Sequence, residues 1–303
     1  MTTQRLRALR ADSQLLLAAL IWGLAFVAQR QATSIIEPFA FNAVRFAIGS
    51  LILLPLVITR RKLPGNHTAP APAASGKQRR GLLFAGTIAG LVLFIAVSFQ
   101  QIGIKHTTAG KAGFITGLYV VLVPILGLLW RQRPAWATWL GAALAAAGLY
   151  LLSVTDKFTI DAGDALVLAS AVFYAGHVLV IGHLCTRHST LRLAALQYAI
   201  CAALSFAVTL CCENLQMQHL IDAAVPILYT GILSVGVAYT LQVVGQKLAP
   251  PAHAAIILSM ESVFAAVFGG LILHEVLSGR SLTGCVLMLT GMLLSQLAPR
   301  RSQ

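Results

Sequence analysis

A series of long apolar segments recurs from one end of this chain to the other and constrains its fold more than any other feature. About 20 apolar residues cross the hydrocarbon core of a bilayer as a helix, so the segments predict ten transmembrane helices. They are continuous and do not alternate with a period of two, which favours helices over strands. We therefore expect an all-α integral membrane protein. Its predicted spans are residues 13–32, 38–58, 81–104, 109–130, 136–154, 163–183, 192–212, 223–246, 252–273 and 281–298.

Composition agrees with a membrane protein and argues against a nucleic-acid-binding one. Hydrophobic residues make up 58% of the chain and charged residues 10%, whereas soluble domains carry about 25% charged residues. The formal net charge of +13 comes from short basic clusters between apolar segments, not from one solvated basic surface. The five cysteines lack the spacing of disulfide or zinc sites. We expect a lipid bilayer as a partner and no nucleic acid, metal or cofactor.

The distribution of Lys and Arg orients the chain. With ten spans and a cytoplasmic N-terminus, 16 of the 22 Lys and Arg residues fall in cytoplasmic segments and five in external ones, while Arg45 lies inside helix 2. Positive charge collects on the cytoplasmic side of membrane proteins. We therefore expect both termini in the cytoplasm and the chain in the cytoplasmic (inner) membrane. The first apolar segment exceeds the core of a signal peptide and lacks a clear cleavage site, so it is interpreted as a retained helix.

The two halves of the chain resemble each other in register. Each half holds five helices, and because five is odd the second half enters the membrane from the opposite side. This predicts an inverted repeat, with one unit at 13–154 and the other at 163–298. The alternative is chance, because Ala, Gly and Leu are common in any apolar sequence. The aligned segments are 109–121 with 252–264 and 140–148 with 283–291, both offset by 143 residues, and, more loosely, 17–22 with 169–174.

Proline and small residues predict local features of the helices. Pro124 should weaken or kink helix 4, because proline removes a backbone donor. Its counterpart in helix 9 is Val267, so the kink is expected in one half only. Small residues four positions apart predict close helix contacts at Gly86 and Gly90, Gly113 and Gly117, and Gly141 and Ala145.

An ordered set of motifs runs along the chain. It comprises Ile-Trp-Gly-Leu-Ala-Phe at 21–26, Phe-Asn-Ala-Val-Arg-Phe at 41–46, Gly-Leu-Tyr-Val-Val-Leu-Val-Pro at 117–124, Trp-Leu-Gly-Ala-Ala-Leu-Ala-Ala-Ala-Gly at 139–148, and Met-Glu-Ser-Val-Phe at 260–264 before His274-Glu275. The set resembles the drug/metabolite transporter superfamily, in its bacterial form with two EamA repeats, over almost the whole chain. The resemblance implies a ten-helix fold, a central cavity among helices 1, 3, 4, 6, 8 and 9, and export of small metabolites, often amino acids or their derivatives. The chain departs from the family pattern at Ser262, where members often have proline, and at Gln132, where the second repeat has Glu275.

Ionisable side chains at membrane depth are candidates for substrate binding or coupling, because placing them there costs about 2.5–3.5 kcal/mol on insertion scales. Glu261 lies about ten residues into helix 9, roughly 15 Å along the axis, where it can serve as a proton acceptor. The alternative is a carboxylate held in an ion pair or a packing hydrogen bond. Arg45 either binds a substrate carboxylate or pairs with Glu261, or it contacts backbone carbonyls or snorkels. The structural role is favoured for Arg45, because helix 2 is expected to be peripheral.

Further polar and aromatic candidates lie in the same helices. His177 can titrate near neutral pH, although a lone helical histidine is more often a packing residue. Aromatic residues can line a cavity or simply pack; they are Trp22, Tyr119, Tyr174 and Tyr239, of which Tyr119 and Tyr239 are best placed by depth. Asn42 belongs to the helix 2 motif with Arg45. Three glutamines near the ends of helices 3 and 8 can serve as gate contacts or simply meet water; they are Gln100, Gln101 and Gln242. The charges expected in loops or at helix ends are Glu37, Asp156, Asp161, Asp164 and Glu275.

The sequence thus predicts a secondary transporter, monomeric or homodimeric, that exports a small metabolite by alternating access, with proton coupling as a further hypothesis. Uptake and multidrug transport remain alternatives, as does a non-transport membrane protein. An intramembrane enzyme is disfavoured because His274-Glu275 lacks the second histidine of a metalloprotease helix and no phosphate-binding loop is present. A channel would show a repeated polar ring, and a scaffold would need neither a midplane glutamate nor an inverted repeat.

Overall fold

The computed structural model describes residues 3–59, 76–107, 109–153, 161–273 and 278–296. Throughout these residues the regular structure is helical and contains no strand. A π-helical segment, Tyr229–Tyr239, joins α10 to α11 in one continuous span. The α-helices are α1 (Thr3–Ala32), α2 (Pro38–Thr59), α3 (Gly76–Lys105), α4 (Ala109–Gly117), α5 (Tyr119–Leu129), α6 (Trp136–Ser153), α7 (Ala162–Leu184), α8 (Thr190–Cys212), α9 (Met217–Asp222), α10 (Ala224–Leu228), α11 (Thr240–Gln246), α12 (Pro251–Leu258), α13 (Glu261–Leu273) and α14 (Gly279–Gln296).

The helices have the length and surface of membrane spans. Within the described ranges, eight helical stretches are long and apolar enough to cross a bilayer, and α6 and α14 contain two shorter apolar helices. Large hydrophobic side chains point outward, such as Phe84, which is 70% exposed, and Val225, which is 79% exposed. A soluble monomer rarely exposes so much apolar surface. The chain is therefore a multi-pass membrane protein, and each predicted segment coincides with a helix or an interrupted pair of helices.

Two of the spans are interrupted at equivalent places in the two halves. Leu118 separates α4 from α5, and Ser259 with Met260 separates α12 from α13. At each break a backbone N–H donates three residues back instead of four, over 3.2 Å at Leu118 and 3.1 Å at Met260. The helix α5 continues through Pro124, so neither break lies at that proline, and the kink expected there stays a prediction. A break found in both halves cannot arise from a proline that only one half contains.

Close contacts between the two halves occur in equivalent pairs, in which the two halves exchange roles. A Cβ added to Gly103 on α3 would lie 2.6 Å from the Val167 side chain on α7. In the exchanged pair, a Cβ added to Gly245 on α11 would lie 2.9 Å from the Leu15 side chain on α1. Such contacts require glycine because a real side chain would not fit between the helices. A two-fold axis that relates the two halves exchanges them in this way.

The pair formed by α6 and α14 shows the same relation within one interface. A Cβ on Gly141 would lie 2.7 Å from the Gly291 carbonyl oxygen, and one on Gly148 would lie 2.5 Å from the Gly284 carbonyl oxygen. The two helices therefore cross antiparallel with their backbones in contact, and the offset of 143 residues converts one contact into the other. The predicted close packing at Gly141 is confirmed. It is also confirmed at Gly86 and Gly90, which contact Leu196 and Ile200 of α8.

Candidate functional site

A cavity of about 480 Å³, part of it open to the surroundings, lies between the halves at the level of the two helix breaks. Tyr119, the first residue of α5, and Glu261, the first residue of α13, both line it. Five of the seven predicted site residues meet there: Trp22, Arg45, Tyr119, Tyr239 and Glu261. Of the other polar lining residues, the sequence offered Tyr174 as a possible lining residue and Gln100 and Gln242 as possible gate contacts. It did not point to Gln29, Thr116 or Ser234.

Arg45 reaches the cavity from α2 and is held by neutral partners. Its Nε donates to Asn42 Oδ1 over 3.0 Å, and its Nη1 donates to Gln29 Oε1 over 3.0 Å. Its Cζ lies 5.0 Å from the centre of the Phe41 ring and 5.1 Å from that of Phe46, within the range of cation–π attraction. Arg45 is only 2% exposed, but its guanidinium has no carboxylate partner among the described residues.

These contacts correct three expectations about Arg45 and helix 2. The arginine neither snorkels nor bonds backbone carbonyls, because its hydrogen-bond partners are side chains on α1 and α2. It forms no ion pair with Glu261. The helix α2 is not peripheral, since it packs against both α8 and the π-helical segment. Asn42 lies beside the cavity, not on its wall, where it orients Arg45 and donates to the Val97 carbonyl over 3.3 Å.

Glu261 and Tyr119 bring unused hydrogen-bonding capacity into the cavity. Glu261 is 3% exposed, and its Oε1 has no hydrogen-bond partner in the described structure. The Tyr119 hydroxyl also has none. Buried polar atoms are almost always satisfied, because leaving one unpaired costs about 1–3 kcal/mol. A water or a ligand in the cavity would supply the missing partners.

A chain of hydrogen bonds forms another wall and connects four helical elements. The Tyr239 hydroxyl of the π-helical segment donates to the Tyr174 hydroxyl of α7 over 3.4 Å, and Tyr174 donates to Gln100 Oε1 of α3 over 2.8 Å. Gln100 Nε2 then donates to the Thr116 hydroxyl of α4 over 3.2 Å. Tyr174 and Gln100 are therefore cavity residues, whereas their depth in the sequence argued against this for Tyr174 and suggested a helix end for Gln100.

The π-helical segment shapes the side of the cavity next to α1. Trp22 Nε1 donates to the Ser234 carbonyl over 3.3 Å, and the Trp22 and Tyr239 rings meet edge to face with centres 4.6 Å apart. Segments of π-helix are uncommon and occur often at functional sites. Gln29 belongs to the same face of α1, since residues 22, 26 and 29 follow helical spacing, a signal that could have identified it.

His177 lies behind the cavity wall and not on it. It is fully buried, and its Nε2 lies 3.0 Å from Gln197 Oε1 on α8. Its ring is edge-on to the Tyr239 ring, with centres 6.3 Å apart. The geometry suits a residue that supports Tyr239 and does not place the imidazole against a molecule in the cavity.

Ser262 is one of the two departures from the family pattern. It connects the break between α12 and α13 to α4. Its hydroxyl donates to the Gly113 carbonyl over 2.9 Å, and its backbone N–H donates to the Ser259 carbonyl over 3.1 Å. Proline has neither donor, so the serine adds two hydrogen bonds beside Glu261.

Comparisons with known proteins agree with this architecture. The EamA-like transporter family matches residues 9–154 and 161–297. An uncharacterized transporter of Archaeoglobus fulgidus is 33% identical over 293 residues, covering 95% of this chain and 86% of its own length. The uncharacterized transporter YwfM of Bacillus subtilis is 29% identical, covering 95% of this chain and 94% of its own length.

The fold is also found among solved structures. One crystal structure superposes with a TM-score of 0.74 at 20% sequence identity, and the match covers 96% of this chain and 98% of the other. At that identity the likeness concerns the fold alone. Together with the family match and the relatives named as transporters, it identifies the chain as a multi-pass membrane transporter that belongs to the EamA-like transporter family.

Proposed function

We propose that the protein is a secondary transporter that exports a small metabolite, an amino acid or a related compound, across the cytoplasmic membrane by alternating access. The observation that carries the proposal is the buried polar cavity at the breaks of two equivalent helices. Interrupted helices at a repeat interface are where secondary transporters bind their substrates. The proposed topology has ten transmembrane helices in two inverted repeats, 13–154 and 163–298, with both termini in the cytoplasm. The exchanged contacts between the halves and the basic residues of the loops support it.

The charges of the cavity favour a substrate with both an anionic and a cationic group. Arg45 offers a guanidinium that neutral partners hold in place, and such a group is well suited to a carboxylate. Glu261 offers a carboxylate oxygen without a partner. The two side chains do not neutralise each other, so a zwitterion can satisfy both. Aromatic rings of Trp22 and Tyr239 between α1 and the π-helical segment suit an apolar side group.

The first test compares metabolites in the medium of cells that express the wild type, a Glu261→Gln variant, or a Glu37→Gln variant as the control. Glu37 is an exposed residue whose carboxylate pairs with Lys105 over 3.0 Å, so its removal leaves the cavity unchanged. A compound that accumulates outside only with the wild type and Glu37→Gln would establish export and identify the substrate. Its depletion would instead establish uptake, and no difference despite membrane expression would refute the metabolite proposal.

Proton coupling through Glu261 is a separate part of the proposal. Once a substrate is identified, transport into or out of proteoliposomes is measured across a range of pH. If Glu261 carries the coupled proton, Glu261→Gln abolishes uphill transport driven by a pH gradient but retains exchange of substrate at equal pH. Full uphill transport by this variant, with an unchanged pH profile, would remove the proton from the mechanism.

A further inference from the structure

A buried aspartate near the start of α1 ties that helix to two others. Asp12 Oδ1 lies 3.0 Å from His253 Nε2 on α12. His253 Nδ1 lies 3.0 Å from the Ser295 hydroxyl oxygen on α14, and that hydroxyl donates to the Met292 carbonyl over 2.9 Å. The cluster therefore joins the first helix of the first half to the interrupted helix of the second half.

A second buried aspartate makes the corresponding connection near the start of α7. Asp164 Oδ1 accepts a hydrogen bond from the Thr107 hydroxyl, just before α4. Its Oδ2 accepts from the Asp161 backbone N–H over 3.1 Å, which caps α7. Asp164 thus joins the first helix of the second half to the segment that leads into the interrupted helix of the first half.

The two aspartates occupy equivalent positions. An offset of 152 residues carries Asp12 to Asp164, and the same offset carries Leu15 to Val167. The contacts of Leu15 and Val167 with α11 and α3 are the exchanged pair described above. The equivalence therefore rests on packing as well as on the loose alignment of helices 1 and 6.

The two clusters lie at opposite ends of the helices. Arg30, near the end of α1, donates from Nη1 to the Ile104 and Lys105 carbonyls at the end of α3, over 2.8 and 3.1 Å. The end of α3 also contacts the start of α7, which carries Asp164. Asp12 precedes Arg30 by 18 residues, or roughly 27 Å along the helix axis. One cluster is thus near each membrane surface, with the cavity between them.

We propose that Asp12 and Asp164 are paired latches that close the cavity from opposite sides of the membrane, an inference that rests on the alternating-access function proposed above. Opening the cavity towards one surface requires the first helix of one half to separate from the interrupted helix of the other. Asp12 with His253 resists this separation at one surface, and Asp164 with Thr107 resists it at the other. Each conformational change breaks one latch while the other stays closed.

The test uses a single cysteine as a reporter of access to the cavity. The five native cysteines are replaced and Ser234, which lines the cavity, is changed to cysteine. Right-side-out and inside-out vesicles are then labelled with a membrane-impermeant maleimide. The quantity measured is the ratio of labelling from the membrane surface nearer to Asp12 to labelling from the opposite surface. Asp12→Ala should raise this ratio roughly tenfold, the effect of losing a charged hydrogen bond. Thr107→Val should lower the same ratio by a similar factor.

Conservative and partner variants make the result specific. Thr107→Ser keeps the hydroxyl and should label like the parent. His253→Leu breaks the first latch from its other side and should shift the ratio in the same direction as Asp12→Ala, so the test does not depend on one variant folding. The latches would be overturned if Asp12→Ala and Thr107→Val shift the labelling ratio in the same direction, or if neither variant shifts it. This holds provided that the single-cysteine parent is still labelled from each surface in turn. A parent that labels from both surfaces and leaks small solutes would instead overturn the transporter proposal.

Discussion

The contact between α1 and α13 beside the cavity allows a sharp prediction for Gly23→Ala. A Cβ at this position would lie 2.6 Å from the Phe264 Cβ and 2.9 Å from both the Glu261 carbonyl oxygen and the Ala265 nitrogen. Non-bonded carbons normally lie about 3.5–4.0 Å apart, so the two helices would have to separate by about 1 Å. Because two of the three close atoms are backbone atoms, a side-chain rotation cannot relieve the clash.

The magnitude follows from two opposing effects. Overpacking costs about 1–3 kcal/mol, whereas replacing a helical glycine by alanine gains about 0.5–1 kcal/mol from backbone entropy. We expect the clash to dominate and the free energy of unfolding of Gly23→Ala to fall by about 1–2 kcal/mol. Transport should also fall, because Trp22 and Glu261, on the two separated helices, both line the cavity.

The assay is unfolding in mixed detergent micelles, followed by circular dichroism, together with transport in proteoliposomes. Gly176→Ala is the matched control, because it lies within α7 and nothing lies within 4 Å of its added Cβ. This control should be as stable as the wild type, or more stable by up to about 1 kcal/mol. The reasoning is refuted if Gly23→Ala unfolds like Gly176→Ala and transports like the wild type.

Other contacts give further predictions, each checked by the same unfolding assay. Glu213 accepts the N–H groups of the first turn of α2 over 2.9 and 2.8 Å, so Glu213→Gln should cost about 1 kcal/mol by removing the charge that favours a helix N-terminus; equal stability would contradict this. Ser262→Ala removes the hydrogen bond to α4 and should cost about 0.5–2 kcal/mol, whereas Ser262→Thr, which keeps a hydroxyl, should cost less. Arg45→Lys cannot retain the bonds to both Asn42 and Gln29 and should cost about 1–3 kcal/mol, with transport reduced more strongly than in Asn42→Ala.

The positions of the helices could be predicted because the thickness of a bilayer fixes the length of an apolar span. Predicted and observed ends differ by at most five residues, except at the start of α1. That helix begins at Thr3 and not near residue 13, because a helix can continue into the headgroup region where Arg7 and Arg10 meet water. Hydropathy measures the buried part of a helix and does not detect such an extension.

The breaks within helices 4 and 9 could not be predicted in the same way. Gly117 precedes the break at Leu118, but the chain has 25 glycines, and neither glycine nor proline adjoins the Ser259-Met260 pair. The tightened turns result from contacts between elements distant in the chain, such as the bond from Ser262 to Gly113. Pro124 offered a local signal, but α5 accommodates it without a break.

The depth of a cavity residue in the membrane could be predicted from the sequence. The direction in which its side chain points around the helix axis could not. Depth placed Glu261, Tyr119 and Tyr239 correctly at the level of the cavity. His177 was a candidate because of its chemistry, but its side chain points towards Gln197. Gln100 was missed because its distance from a helix end says nothing about which neighbour it faces. For one pair of residues the sequence does indicate a shared helix face. Asn42 and Arg45 are three residues apart, and such residues are neighbours on a helix surface.

Arg45 and Glu261 do not pair with each other, and under the proposed function this lets one site bind and release its substrate. A direct ion pair between Arg45 and Glu261 would satisfy both groups and leave a substrate to compete with it. Arg45 instead donates hydrogen bonds to the oxygen atoms of two amides and lies over the faces of two aromatic rings. These contacts position the guanidinium without neutralising it. Glu261 keeps an oxygen without a partner. The cavity therefore presents two separate polar groups on two of its sides, and a molecule that bridges the halves can contact both. Because the bridging groups belong to different halves, the affinity of such a molecule depends on how the halves are arranged, which is the condition for a ligand to shift a conformational equilibrium.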